Sequence, residues 1–305
     1  MPDFRAVAVA AAQQAGKIIA DAYRTDFRVD YKQGATTNLV TDVDRQSEQA
    51  IVEALSKAFP DHRILAEEGG EGSQRQSSYK WIVDPLDGTT NFAHGFPAFC
   101  VSIGLEVEGC VVLGVVYDPL RKELFEAEAG KGAFLNGERL RVSQAAALDR
   151  ALLVTGFAYD QEGRRSNLDH FSRFALRAQG IRRTGSAAID LCYVAAGRVD
   201  GFWELKLHPW DVAAGSLIVL LEAFAPRARP WFATLSVAAV AGSLYYLLRA
   251  PEGASFNGRL ETSALTTIVG LFLGASAVVA IRAGLLPTPE EVDGEQVWRA
   301  MATSS

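Results

Sequence analysis

Cysteine is scarce. The 305 residues hold three, Cys100, Cys110 and Cys192, an odd number without CxxC spacing. That excludes a disulfide framework and a thiolate zinc site, and it fits a reducing compartment. Histidine is as sparse: His62, His94, His170 and His208 lie far apart with no HExxH pairing, so carboxylates are left as the ligands of any metal, which points to a hard cation such as Mg²⁺. Basic charge is in deficit, with 30 Lys and Arg against 36 Asp and Glu for a net of −6. No cluster of Lys and Arg stands ready to grip a phosphate backbone, which argues against nucleic acid as a direct partner. What is present, 49% hydrophobic and 22% charged residues, supplies a core for one large or two modest domains and excludes a disordered or collagen-like chain.

Arg5 and the uncharged run Ala6 to Gly16 faintly resemble a signal peptide, but Gln13, Gln14 and Lys17 break the pattern. Phe4, Val7, Ala11, Ala15, Ile18 and Ala22 recur at helical spacing, and so predict an amphipathic helix. A second stripe (Val43, Ser47, Ala50, Ile51, Ala54, Leu55, Ala58) predicts another, ended by Pro60. Trp81 to Val83 reads as a buried strand stopping at Asp84 and Pro85. Three β-rich stretches between Phe99 and Phe134, punctuated by Glu108-Gly109, Asp118-Pro119 and Gly130, read as an antiparallel meander. Beyond them follow a strand over Ala151 to Thr155, a helix over Ser166 to Gln179, a helix over Ser186 to Ala196, a strand over Val199 to Glu204 and a helix opening at Pro209 to Asp211.

The chemistry concentrates in Trp81-Ile82-Val83-Asp84-Pro85-Leu86-Asp87-Gly88-Thr89-Thr90-Asn91. A strand that delivers two acids three residues apart into a Pro/Gly-shaped turn sets both carboxylates on one side, with the Leu86 carbonyl between them. Two anions so close call for a cation, and all-oxygen ligation suits Mg²⁺. The N–H groups of Gly88 to Thr90 fall at a helix N-terminus, where orphan donors and the helix dipole favour phosphate. An Asp-Pro turn with a solvated cap is the plainer reading of the same string. Glu67 and Glu68, after the apolar Ile64 to Ala66, fit ligands at a strand end or a surface turn. Asp211, after Trp210, fits a ligand or an N-cap.

Taken in order, Glu67-Glu68, Asp84-Pro85-Leu86-Asp87-Gly88-Thr89-Thr90-Asn91-Phe92 and Trp210-Asp211-Val212-Ala213-Ala214-Gly215 resemble the inositol monophosphatase family, its bacterial branch above all. Lys32, Asn38-Leu39-Val40-Thr41 with Asp44, Gly130-Lys131-Gly132-Ala133-Phe134 with Asn136-Gly137, and Gly185-Ser186-Ala187-Ala188 extend the likeness over roughly residues 4–221. The resemblance implies an α+β, layered αβαβα sugar-phosphatase-like fold. It implies that Glu67, Asp84, the Leu86 carbonyl, Asp87 and Asp211 bind up to three Mg²⁺, and that Thr89, backed by Asp44, orients a metal-activated water polarised by Glu67. Substrate would be held by Asp87, Gly88, Thr89, Thr90, Gly185, Ser186, Ala187, Glu204 and Asp211. The implied activity is hydrolysis of myo-inositol 1-phosphate to inositol and phosphate, with lithium sensitivity and a homodimer. Histidinol phosphate, fructose 1,6-bisphosphate or a nucleotide 3′-phosphate are rival substrates. Some bacterial relatives act with the transcription machinery, so a catalytically weakened scaffold is the alternative, although a scaffold has no need of clustered negative charge.

The likeness ends where the charge does. From Arg227 onward there are six Arg, no Lys and six acids, so the residues before it carry the whole net charge. Glu222-Ala223 is followed by Phe224-Ala225-Pro226 where the family continues through a Glu-Ala-Gly-Gly turn. This predicts a catalytic domain over residues 1–225 and a tail over 226–305 with two apolar helices, 230–248 and 262–281. At about 1.5 Å per residue each spans roughly 28 to 30 Å, near the thickness of a bilayer core. Helices buried in a soluble core, or a tail joined by fusion or a reading-frame shift, fit the same composition. A membrane hairpin would tether a cytoplasmic catalytic domain. It predicts that carbonate-washed membranes retain the full-length chain while a chain ending at residue 225 is released; full-length protein in the supernatant would refute the tether.

Overall fold

A computed structural model describes residues 2–32, 39–71 and 77–223. Asn38 and the tail, with both apolar stretches and the proposed boundary at 225/226, lie outside the described residues. Among the described residues no helix is long and apolar enough to cross a membrane.

The elements run in the order α1 (Phe4–Ala22), β1 (Val29–Tyr31), β2 (Leu39–Thr41), α2 (Asp42–Ala58), β3 (Arg63–Ala66), β4 (Gly70–Glu71), β5 (Tyr79–Asp87), α3 (Thr89–Ala93), β6 (Cys100–Val107), β7 (Cys110–Asp118), β8 (Glu123–Glu128), β9 (Gly132–Leu135), β10 (Glu138–Arg139), β11 (Leu152–Thr155), α4 (Gln161–Ala175), β12 (Gly180–Arg182), α5 (Ala187–Ala195), β13 (Gly201–Trp203) and α6 (Pro209–Ala223). Eight strands form one sheet in the order β10-β9-β8-β7-β6-β5-β3-β4, antiparallel except where β3 runs parallel to β5. A second sheet, β12-β11-β13, is parallel. Helices α1 and α2 pack on each other and on the large sheet, α5 and α6 lie between the two sheets, and α4 contacts β12. This is the layered αβαβα arrangement that the family resemblance implies.

Local chemistry explains the helix starts. Asp3 caps α1 by accepting from the N–H groups of Arg5 and Ala6, and Thr41 with Asp44 forms a capping box at the head of α2. The predicted stripe of α1 is buried at Ala11 and Ala15, joined by Ala8, Ala12 and Ile19. Small residues there let the helix lie close to the sheet.

Several elements differ from the sequence expectation, among them α4, which ends at Ala175 short of the expected Gln179, and β12, which the sequence does not predict. The strand expected to stop at Val83 continues as β5 through Asp87, and its pairing with β6 shifts register between Asp84 and Asp87. Pro85 has no N–H to give a ladder, so the strand survives by bulging there. Helix α4 begins at Gln161 rather than Ser166, since the Asp160 side chain accepts the Gly163 N–H and caps a first turn too polar to show periodicity. The meander gains a fourth strand, β9, after Gly130. The last predicted strand shortens to β13, which leaves Glu204 just beyond its end.

The middle layer fits because its contacts are small. A Cβ on Gly114 of β7 would stand 2.7 Å from the Ala214 carbonyl oxygen and 3.0 Å from its Cα, both backbone atoms of α6. Gly114→Ala should therefore lower unfolding free energy by about 1–3 kcal/mol, as overpacking does in a tight core. Urea denaturation reads the loss, and an unchanged midpoint would show that α6 is free to move away.

Candidate active site

Three chain segments bring the acids together. Strand β3 ends at Ala66, and Glu67 follows with its N–H bonded to the Val83 carbonyl at 3.2 Å, so the parallel partner β5 fixes where Glu67 leaves the sheet. Asp84 and Asp87 stand on either side of the bulge in β5. The Asp84 carboxylate accepts the Leu86 N–H at 3.0 Å, which holds the bulge in shape. Asp211 is the third residue of α6 and accepts the His208 N–H at 2.6 Å, so it lies inside the helix and not at the N-cap position that the sequence also allowed.

Around these acids lie the supporting groups. The Thr89 hydroxyl is 2.9 Å from an Asp44 oxygen and 3.0 Å from the Leu86 carbonyl, and Asp44 also accepts from the Thr41 N–H at 2.8 Å and from its hydroxyl. Gly88 precedes α3 with φ of 97°, and a Cβ there would approach the Ala98 carbonyl to 2.8 Å. Glycine is thus required for the turn that carries Thr89 and Thr90 into α3. One Asp87 oxygen accepts from the Ser186 hydroxyl and from the Ala188 N–H, each at 2.7 Å. Ala187 is buried between these two donors in sequence. Asn91 donates to the carbonyls of Ala98 and Thr184 at 2.7 and 2.8 Å and to that of Gly185 at 3.3 Å, tying the Gly185 turn to α3. The Glu204 carboxylate packs against Gly156 so closely that a Cβ at 156 would fall 2.1 Å from it.

The electrostatics show that the four acids share one neighbourhood. Asp84 is held well above the ordinary carboxylate range, first by burial and then by Glu67, Asp87 and Asp211. Asp87 is pushed up to about 7 by burial, with Asp211 and Glu67 adding to it while Ser186 and Ala188 pull it down. Burial raises Glu67 to about 7, against Lys32, with Glu68 and Asp211 raising it further. Glu204 reaches about 8 through burial and the charges of Asp87, Asp190 and Asp211. Lys32 answers this charge: its ammonium lies 2.6 Å from Glu67 and 2.7 Å from Glu68. Burial alone would lower it, yet the two glutamates hold it above its usual value.

Among the described residues no group of three His, Cys, Asp or Glu side chains is already arranged as a metal-ligating set. Their oxygens are taken instead by Lys32, the His208 N–H, Ser186 and the Ala188 N–H. The donor set nonetheless fits a hard cation: four carboxylates and the Leu86 carbonyl, all oxygen, with an excess of negative charge that adds to burial in raising Glu67, Asp84 and Asp87. The Ala188 N–H is a contact that sequence reasoning passed over, because backbone donors leave no trace in residue type. Tyr159 is another. Its hydroxyl is raised to about 12, chiefly by burial, with Asp87, Glu67 and Asp211 contributing, so it borders the acids, and nothing in its surrounding sequence signals this.

Comparison with known proteins follows the same lines. A model of the inositol monophosphatase family matches residues 2–223. An inositol-1-monophosphatase of Synechocystis sp. is 51% identical over 189 residues, covering 62% of this chain and 66% of that protein. The Nus factor SuhB of Escherichia coli is 46% identical over 214 residues, covering 70% of this chain and 80% of its own length. The crystal structure of the extragenic suppressor protein suhB of Bartonella henselae superposes with a TM-score of 0.68 at 44% identity, over 72% of this chain and 84% of that one. The chain thus spans about two thirds of the Synechocystis protein and more of the other two.

The raised acids set a pH dependence with a definite sign. Asp44, Glu67, Asp87 and Glu204 carry folded values of about 6, 7, 7 and 8, above the value near 4 of an unfolded carboxylate. Their folded state binds more protons, so their contribution is present below pH of about 4 and is lost as pH rises towards about 8. In a chelating buffer, stability should fall across that window. Asp87→Asn should flatten the slope, which urea midpoints measured pH by pH will show; a wild-type curve rising through the window would contradict the electrostatic picture.

Proposed function

The chain belongs to the inositol monophosphatase family, and from that membership we propose that the acidic cage hydrolyses phosphate monoesters of polyols, with myo-inositol 1-phosphate as the preferred substrate and Mg²⁺ as cofactor. One observation carries the reading: Glu67, Asp84, Asp87 and Asp211 come from three distant segments, and Glu67, Asp84 and Asp87 are each raised first by burial and then by the charge of the others. Burying like charges together is unfavourable unless a cation or a reaction uses them. Glu67, Asp84, the Leu86 carbonyl, Asp87 and Asp211 would hold the metal. When bound, Mg²⁺ supplies the positive charge that offsets the phosphate dianion and makes water a competent nucleophile.

The remaining steps belong to the chain. Thr89, with its proton directed to Asp44, keeps hydroxyl lone pairs available to accept from an incoming water and so aligns it behind phosphorus. Lys32 opposes the protonation of Glu67 that burial favours, and the ionised fraction of that carboxylate would accept a proton from the water. The N–H groups of Gly88, Thr89 and Thr90 are assigned to the phosphate oxygens. Asp87, the Gly185-Ser186-Ala187 turn and Glu204 are assigned to the polyol hydroxyls, for which carboxylate and hydroxyl acceptors are the natural partners. We assign the activity to residues 1–225, with lithium as an expected inhibitor by family likeness, and leave 226–305 as a tail beyond the family match.

The relatives named Nus factor SuhB favour one rival, a regulatory or scaffold role in which the cage is vestigial. Phosphate release decides between them. Wild-type protein should release phosphate from inositol 1-phosphate only with Mg²⁺, and Asp87→Asn should lower kcat by on the order of 10²-fold or more, the scale of a misplaced catalytic group. Equal rates in both proteins, or no release from inositol 1-phosphate, histidinol phosphate or fructose 1,6-bisphosphate, would leave the scaffold reading in place.

A further inference from the structure

Helix α2 turns three polar side chains inward at Asp44, Ser47 and Glu48, an i, i+3, i+4 set that shares one face. All three are buried, at 0%, 0% and 9% exposure. Each bonds a different loop of the candidate site. Asp44 accepts from Thr89, the Ser47 hydroxyl donates to the Pro85 carbonyl at 2.7 Å, and Glu48 accepts the Glu68 N–H at 2.9 Å. The Gly69 N–H bonds the same Glu48 carboxylate. A Cβ at Gly69 would stand 2.9 Å from Glu48 Oε1, so this carboxylate reserves the space that glycine leaves. Glu48 is thus a buckle from a rigid helix onto the backbone immediately after Glu67.

We propose that Glu48 is a positioning residue that fixes the Glu67 carboxylate relative to Asp84 and Thr89, with α2 as the ruler that spaces the two acidic stations. The proposal rests on the metal-dependent reading of the site. A carboxylate has two oxygens and so can accept both N–H groups at once. A glutamine of the same shape offers one acceptor oxygen and an NH₂ that opposes the second N–H. One of the two turn contacts is then lost, and Glu67 follows the turn.

The test is calorimetric titration with Mn²⁺ and with Mg²⁺ of full-length wild type, Glu48→Gln and Gly69→Ala, alongside kcat and KM for inositol 1-phosphate and a metal-free thermal midpoint. Groups that orient metal ligands typically contribute 10- to 100-fold in affinity. Glu48→Gln should therefore weaken divalent binding by about 10-fold or more while KM at saturating Mg²⁺ stays within about twofold, since substrate contacts lie elsewhere. Gly69→Ala pushes the carboxylate aside without removing its charge and should give the same loss. Binding stoichiometry counts folded molecules, so partial unfolding does not imitate a loss of affinity. Wild type that binds metal and releases phosphate, with both variants matching its affinity and merely melting earlier, overturns the positioning role and leaves the functional reading intact. Wild type that binds neither metal overturns that reading and the inference with it.

Discussion

The carboxylates of Glu67, Asp84, Asp87 and Asp211 repel one another where water is largely excluded, and the repulsion must be contained by backbone that the rest of the fold holds still. Nothing in the acids themselves keeps them together. Each is restrained by bonds that a neighbouring element supplies: the Ser186 hydroxyl and Ala188 N–H on Asp87, the Leu86 N–H on Asp84, the His208 N–H on Asp211 and Lys32 on Glu67. Charge-assisted bonds of this kind are stronger than neutral ones. They hold acids from three segments of sequence in one place, and the parallel pairing of β3 with β5 in an otherwise antiparallel sheet is what lets Glu67 and Asp84 emerge at the same end.

Containment also demands close approach, which explains the composition of α6. The motif Trp210-Asp211-Val212-Ala213-Ala214-Gly215 couples one acid to three small residues. Ala213 and Ala214 face Gly104 and Gly114 of the large sheet, where a Cβ on either glycine would lie within 3.0 Å of α6 atoms. Gly215 faces Leu191 of α5 in the same way. The helix that bears Asp211 is therefore wedged between sheet and helix with no side-chain cushion, and interiors packed to this density transmit displacement rather than absorb it. Small residues in this motif set the depth of an anionic ligand.

Much of this was legible in the residue order. The acidic stations could be read because their chemistry sits in side chains of distinctive type, whereas the Thr89 and Asp44 pairing and the Gly185-Ser186-Ala187 turn came only with the family resemblance. The misreadings have a common cause. Ser47 was counted in an apolar stripe, since a buried serine has the same spacing as a core residue, and its bond to the Pro85 carbonyl exists only in the folded chain. Glu48, beside it, gives no sign in residue type of its bond to the Glu68 N–H. The bulge in β5 stayed hidden because Pro85 and Gly88 signal a break, whereas neighbouring β6 supplied enough partners to carry the strand through. Backbone donors such as the Ala188 N–H leave no sequence signal. Side-chain chemistry was visible; the accommodation of backbone to it was not.

The departure of the chain from its family after residue 223 bears on α6, because a metal ligand on a loosely held helix would be worth little: a shift of about 1 Å can lower a rate on the order of 10²-fold. Within the described residues the helix is fastened at both ends. At its start the Ser102 hydroxyl bonds the Trp210 carbonyl at 3.4 Å, and Asp211 accepts the His208 N–H. At its last turn, Glu222 accepts the Ala133 N–H at 3.1 Å and pairs with Arg139 at 3.2 Å, so the carboxylate takes a donor from β9 and a charge from β10. Glu222 is buried while Arg139 is half exposed, so the acid reaches its partner at the sheet edge from within the core. Within the described residues, one buried acid thus locks the last turn of α6 to the far edge of the large sheet. The position of Asp211 is set by the bonds at the two ends of α6 and by the glycine-lined floor beneath it.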